Sequence, residues 1–118
     1  MSLIFHITRR KDWERGREAG SYQPEMFASE GFIHCSTAAQ VIRVANLRFR
    51  GRHDLILLAI DTDRLSSSIR YENLEGGAEL FPHIYSELDP ETVVKVSDLR
   101  PGLDGYFTMP NEFSESVS

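Results

Sequence analysis

A chain of 118 residues buries roughly two-thirds of the surface its unfolded form exposes, enough for one hydrophobic core and not two. Hydrophobic residues make up 41% and charged residues 26% of it, which excludes a disordered or coiled-coil composition. A net charge of −5 disfavours non-specific nucleic-acid binding, where clustered cations must neutralise phosphates.

Leu3 to Ile7 reads as a short apolar strand, and Thr8 as the N-cap of a polar helix from about Arg9 to Ala19 that turns Trp13 inward and ends at Gly20. Ser21 to Glu30 is a loop holding Tyr22 and Pro24, before a second strand from Gly31 to Cys35. Thr37 and Gln40 form a capping box, and Ala38, Val41, Ile42, Ala45 and Phe49 follow at helical spacing to about Arg50, with Gly51 closing the helix. Leu55 to Ile60 is continuously apolar, as expected of a central strand covered on both faces, and Asp61 to Ser68 returns the chain to solvent. Further strands are expected at Ile69–Glu72, Phe81–Ser86 and Val93–Val96, with an edge strand over Asp104–Thr108. The polar stretch from Asn111 to Ser118 is expected to fray.

No apolar run is long enough to span a bilayer, and the first residues lack the charged and apolar regions of a signal peptide. The single cysteine, Cys35, fits a reducing compartment, so a cytoplasmic chain without membrane contact is expected. Arg9, Arg10 and Lys11 form one basic patch, and Arg43, Arg48, Arg50 and Arg52 another; solvated helix faces account for both.

The chemistry concentrates in three histidines. Strand alternation puts His6 on the face of Ile4, His34 on the face of Phe32, and His83 on the face of Phe81 and Tyr85. A histidine in an apolar strand needs a hydrogen-bond partner or a ligand, and its pKa suits it to proton transfer near neutrality. Nothing in their spacing resembles a local metal motif. Arg70 and Glu72 share strand parity and read first as an ion pair. Ser36 stands between the second strand and the capped helix, whose free N–H groups suit a polar or anionic group, while the bland role is helix capping. His53, between Arg52 and Asp54, reads as surface.

Ile4-Phe5-His6-Ile7, Gly31-Phe32-Ile33-His34-Cys35-Ser36-Thr37, Arg70-Tyr71-Glu72 and Phe81-Pro82-His83-Ile84-Tyr85, in that order, resemble the bacterial domain-of-unknown-function 952 family over about residues 3–110. The resemblance implies a fold similar to ADP-ribosyltransferases: a split, mixed β core with peripheral helices and a cleft that in those enzymes holds NAD. It further implies that His6 contacts a ribose hydroxyl, that His34, Ser36 and Thr37 form the strand-to-helix motif, and that His83 and Tyr85 face the same cleft. Ile7 stands where many transferases carry glycine, and Glu72 is the default for their catalytic glutamate. Phosphotransferases of the same broad fold use His and Arg instead, which suits His6, His34, His83 and Arg70.

The expectation is therefore one α+β domain over residues 1–110 with a disordered tail at 111–118, and no metal or covalent cofactor. One reading is binding of NAD or an ADP-ribose-like nucleotide with ADP-ribosyl or related transfer. In it His6, His34 and His83 are catalytic, and Phe32, Ser36, Thr37, Arg70, Glu72 and Tyr85 bind the ligand. A non-enzymatic domain binding a small ligand or a protein is the second, and a histidine metal site or hydrolase the third. The sequence does not identify the ligand or a protein partner.

Overall fold

The apolar run at Leu55–Ile60 becomes the strand on which the rest packs. In the computed structural model, which describes residues 2–65, 69–74 and 76–116 with side chains as far as Phe113, β3 (Leu55–Asp61) is buried along its whole length. It is the centre of one antiparallel sheet, flanked by β1 (Leu3–Arg9) and β6 (Val93–Leu99). A second antiparallel sheet orders β2 (Ile33–His34), β5 (Phe81–Ile84) and β4 (Ile69–Glu72). The chain is thus α+β, with two sheets among the described residues, but the expected mixed β core is corrected: every strand pairing among those residues is antiparallel.

Residue parity splits the core in two. Ile56, Leu58 and Ile60 of β3 join Ile4, Ile33, Cys35 and Ile84 in a cluster between the sheets, while Leu55, Leu57 and Ala59 pack with Phe5, Val41 and Ala45 beneath α3 (Ala38–Arg48). A strand with apolar neighbours on both faces must be apolar at every position, which is why Leu55–Ile60 shows no alternation. α1 (Arg10–Ala19) brings Trp13 into the inter-sheet cluster, where Tyr22 meets its ring at 5.8 Å.

Several boundaries differ from the sequence expectation. Thr8 is not a helix cap: β1 pairs with β3 as far as Arg9↔Leu55, and the branched Thr8 sits buried within the strand. Phe27–Glu30 forms a single turn, α2, inside the expected loop, and Gly31, at φ +80°, ends it in a conformation that strains any residue with a Cβ. That turn shortens the second strand to two residues. The Thr37–Gln40 capping box forms, with Thr37 N–H donating to Gln40 Oε1 at 3.0 Å, and α3 stops at Arg48 rather than Arg50. The Val93 strand runs on to Leu99, and the Phe81 strand ends at Ile84. No strand forms over Asp104–Thr108; a turn closed by Gly105 N–H to Gly102 C=O occupies its start, although Phe107 is buried. Phe113, in the stretch expected to fray, is 2% exposed and meets the Phe5 ring edge-on at 5.4 Å. Residues 66–68 of the expected solvent return, and 117–118, lie outside the described residues.

The seam between the sheets positions the candidate site. Ile33 and His34 pair with Ile84 and His83, Cys35 N–H reaches Pro82 C=O, and Ser36 exchanges both backbone hydrogen bonds with Phe5 at 2.8 Å. Within four residues the chain passes from one sheet to the other.

Candidate functional site

Antiparallel register sets one row of side chains across the outer face of the second sheet. His34 stands opposite His83, and His83 opposite Arg70; their neighbours Ile33, Ile84 and Ile69 point the other way, into the core. Strand alternation thus separates a polar outer face from an apolar inner one.

Glu72 organises that outer face. Its Oε1 accepts from the Tyr85 hydroxyl at 2.6 Å and from His83 Nδ1–H at 3.0 Å. These two bonds, Tyr85 foremost, hold the Glu72 carboxyl below its ordinary range, and the same carboxylate pushes the Tyr85 phenol upward. A carboxylate only accepts, so the His83 proton it engages is on Nδ1. His83 as a whole is 3% exposed, and among the described residues its hydrogen bond is made through Nδ1. The expected Arg70–Glu72 ion pair does not form. The Arg70 guanidinium lies over the Tyr85 ring at 4.7 Å and makes no ion pair among the described residues.

Phe32 backs the row. Its ring lies 4.6 Å from His83 and 5.2 Å from Tyr85 in tilted stacks, and 4.8 Å from His34 edge-on. The His34 and His83 rings are 5.3 Å apart. His34 is the accessible member, its side chain 46% exposed, and its Nε2 meets both oxygens of Glu30 at 3.1 Å. Two imidazoles side by side, each with a carboxylate on one nitrogen, form an arrangement able to take a proton at one point and return it at another.

His6 sits elsewhere. It is 6% exposed inside the inter-sheet core, with Nδ1 at 2.6 Å from the His34 backbone carbonyl and Nε2 at 2.8 Å from the Tyr22 hydroxyl, itself 2.7 Å from Thr8 Oγ1. Burial lowers the His6 pKa to about 4, so the ring is neutral near pH 7. The carbonyl accepts, which places the proton on Nδ1; Nε2 then accepts from Tyr22, and Tyr22 in turn from Thr8. With both nitrogens engaged, His6 offers no free group to a ribose. Burial also pushes the Tyr22 phenol and the Cys35 thiol upward, leaving both uncharged near neutrality.

Of the nine residues singled out from sequence, six share the outer face: Phe32, His34, Arg70, Glu72, His83 and Tyr85. Ser36 is buried at the sheet seam and Thr37 caps α3, while His6 lies behind His34. The sequence reading missed Glu30, although its placement four residues before His34 was a usable sign, and missed Tyr22 as the His6 partner, for which a separation of 16 residues gives no local signal. Among the described residues no group of three His, Cys, Asp or Glu side chains stands together as a metal-holding set. A concavity of about 520 Å³ lies away from the row, between α1 and the following loop, lined by Arg9, Asp12, Arg15 and Glu87 among others. No helix among the described residues is long and apolar enough to cross a membrane.

The family described as "Protein of unknown function (DUF952)" matches residues 7–96. The chain belongs to this family. The crystal structure of protein CC0527 from Caulobacter crescentus is similar at a TM-score of 0.81 and 31% identity, covering 91% of this chain and 94% of that one. The solution NMR structure of CC0527 gives 0.79 and 32% identity over 98% and 97%. No curated protein matches the chain. This DUF952 domain therefore shares its architecture with CC0527.

Proposed function

We propose that this DUF952 domain binds a ribose-phosphate small molecule of the NAD or ADP-ribose type across the outer face of its second sheet, and that His83 is the acid–base group of a transfer reaction there. The observation that carries this reading is Glu72 Oε1, which binds His83 Nδ1 and the Tyr85 hydroxyl together and leaves His83 Nε2 outside both bonds. A carboxylate on Nδ1 fixes the tautomer and orientation of an imidazole. Arg70, with its ion-pairing capacity unused among the described residues, stands one strand from His83, within reach of a phosphate oxygen over the row. His34, on the other side, supplies the second proton-transfer group. The ribose contact moves from His6 to this row.

The test is calorimetric titration of NAD and of ADP-ribose into the intact chain, Arg70→Ala and His83→Gln. Arg70→Ala is expected to weaken binding roughly tenfold, about 1.4 kcal/mol, and His83→Gln to keep binding while losing turnover of NAD. No heat from either ligand at millimolar concentration sinks the nucleotide reading.

A second reading, a non-catalytic binding surface, is favoured by one feature: the His34 side chain is 46% exposed, so water reaches that end of the row, whereas transfer chemistry generally excludes it. Equal NAD stability in the presence of wild-type and His83→Gln protein, with binding intact, selects it.

A further inference from the structure

The seam between the two sheets holds His34 by very little backbone pairing. β2 is two residues long, and beyond it the chain leaves the second sheet to join β1 at Ser36. At the point of departure the His34 carbonyl turns to the His6 imidazole, at 2.6 Å, the shortest link of the buried chain Thr8–Tyr22–His6. His6 itself is fixed from three sides. β1 pairs it opposite Leu58 of the fully buried β3, its Nε2 meets the Tyr22 hydroxyl, and the Tyr22 ring packs against it edge-on at 5.5 Å. Tyr22 is anchored in turn, its backbone exchanging two hydrogen bonds with Leu88 at 2.8 and 2.9 Å. A rigid donor thus reaches from one sheet to the backbone of the residue that carries an exposed imidazole on the other.

We propose that His6 is a positioning residue: by donating Nδ1–H to the His34 backbone carbonyl, it sets where the His34 imidazole stands relative to His83. This rests on the reading of the His34–His83–Arg70 row as the working face. A buried carbonyl deprived of its donor costs about 1–3 kcal/mol, and its peptide is otherwise held by the Cys35 N–H bond to Pro82 C=O at 3.0 Å, so relief of that cost swings the peptide about this one bond toward another donor or water. The His34 side chain, attached at that peptide, moves with it. The Glu30 carboxylate, held only through the His34 ring among its described interactions, is left without its partner when the ring departs.

The two nitrogens of His6 can be tested separately, because an asparagine amide nitrogen falls near the place of imidazole Nδ1, while that of glutamine reaches toward Nε2. His6→Asn keeps a donor for the His34 carbonyl and gives up Tyr22; His6→Gln does the opposite. Tyr22→Phe removes the outer partner and leaves Nδ1 in place. Proton NMR of the uncomplexed chain reads the result through nuclear Overhauser cross-peaks between the His34 ring and those of Phe32 and His83, and thermal unfolding reads overall stability independently. The expected result is that all three variants are less stable than wild type, while the His34 cross-peaks survive in His6→Asn and Tyr22→Phe and vanish in His6→Gln. Cross-peaks present in all three variants, cross-peaks missing from Tyr22→Phe, or an unfolded His6→Asn each overturn the proposal. A merely structural His6 would make the changes follow stability and not the position of the donor. The spectra are taken without ligand, so failure of NAD or ADP-ribose to bind the wild-type chain rejects the nucleotide reading alone. Where those ligands do bind, His6→Asn is expected to bind at least about tenfold more tightly than His6→Gln.

Discussion

Gly16 of α1 and Tyr22 approach so closely that a Cβ on Gly16 would stand 2.9 Å from the Tyr22 Cα, Cβ and Cδ1. Two of those atoms are fixed by the backbone, so a larger residue must move the helix or the loop that carries Tyr22. In a free helix Gly→Ala gains about 1 kcal/mol. Here the clash outweighs it, and Gly16→Ala is expected to destabilise the fold by about 1–3 kcal/mol in urea unfolding. Trp13, the single tryptophan, lies 5.8 Å from the Tyr22 ring and reports the shift by its fluorescence. An Ala variant more stable than wild type would show that α1 slides freely over this loop.

The neutral, buried His6 makes stability depend on pH with a definite sign. Its pKa falls from 6.5 to about 4 on folding, burial being the main cause. Between those values the unfolded chain binds a proton that the folded chain refuses, so stability rises with pH in that window. The contribution is complete above pH 6.5, is lost as pH falls toward about 4, and changes no further below. Its size is roughly 3 kcal/mol. Urea unfolding of wild type and His6→Asn across the window is the check: the difference between them should shrink as pH falls. A constant difference would mean that His6 titrates alike in both states.

Much of this fold is written in local patterns, and the remainder is set by contacts distant in sequence. The uninterrupted apolar run at Leu55–Ile60 specifies a doubly covered strand, and Thr37–Gln40 specifies where α3 begins, because each signal is complete within a few residues. Thr8 carries a valid capping signal that strand pairing with Leu55 and Ile56 overrides. The antiparallel sense of the two sheets depends on which strands meet, which no local pattern states. The outer face was readable as far as parity goes: Phe32 with His34, His83 with Tyr85, Arg70 with Glu72. Parity cannot distinguish an inner from an outer strand face when both hold histidines, so His6 looked equivalent to His34 although one is a core residue and the other is exposed.

The shared Glu72 oxygen couples two side chains that can be followed separately. Glu72→Gln removes the charge that raises the Tyr85 phenol, so its pKa is expected to drop toward the ordinary tyrosine value, seen by NMR titration of the ring. Tyr85→Phe is the reciprocal change: Glu72 loses its foremost stabilising bond and its pKa rises toward the usual carboxylate range. The depressed Glu72 pKa contributes stability above that range, which is lost as pH falls through the folded-state value. Tyr85→Phe should therefore reduce the acid-side loss. A Tyr85 titration unmoved by Glu72→Gln would mean that the carboxylate bonds only His83 in solution.

Phe113 closes the far side of the molecule. Its ring stands edge-on to Phe5 at 5.4 Å, and Lys95 Nζ of β6 lies 5.5 Å from its centroid, so a residue near the end of the chain covers the start of β1 and the edge of the first sheet. Removing a buried phenylalanine costs about 3–5 kcal/mol where the site cannot collapse, and less where a terminal segment can withdraw and water can enter. Because Phe113 lies on a short 3₁₀ stretch (Asn111–Ser116), the expected loss for Phe113→Ala falls below that range, at about 2–3 kcal/mol, with faster amide exchange in β1 around Phe5. Truncation after Pro110 should reproduce both effects, since the Phe113 ring supplies the buried apolar surface of this stretch among its described side chains. A truncated chain as stable as the full one would place residues 111–118 outside the cooperative fold.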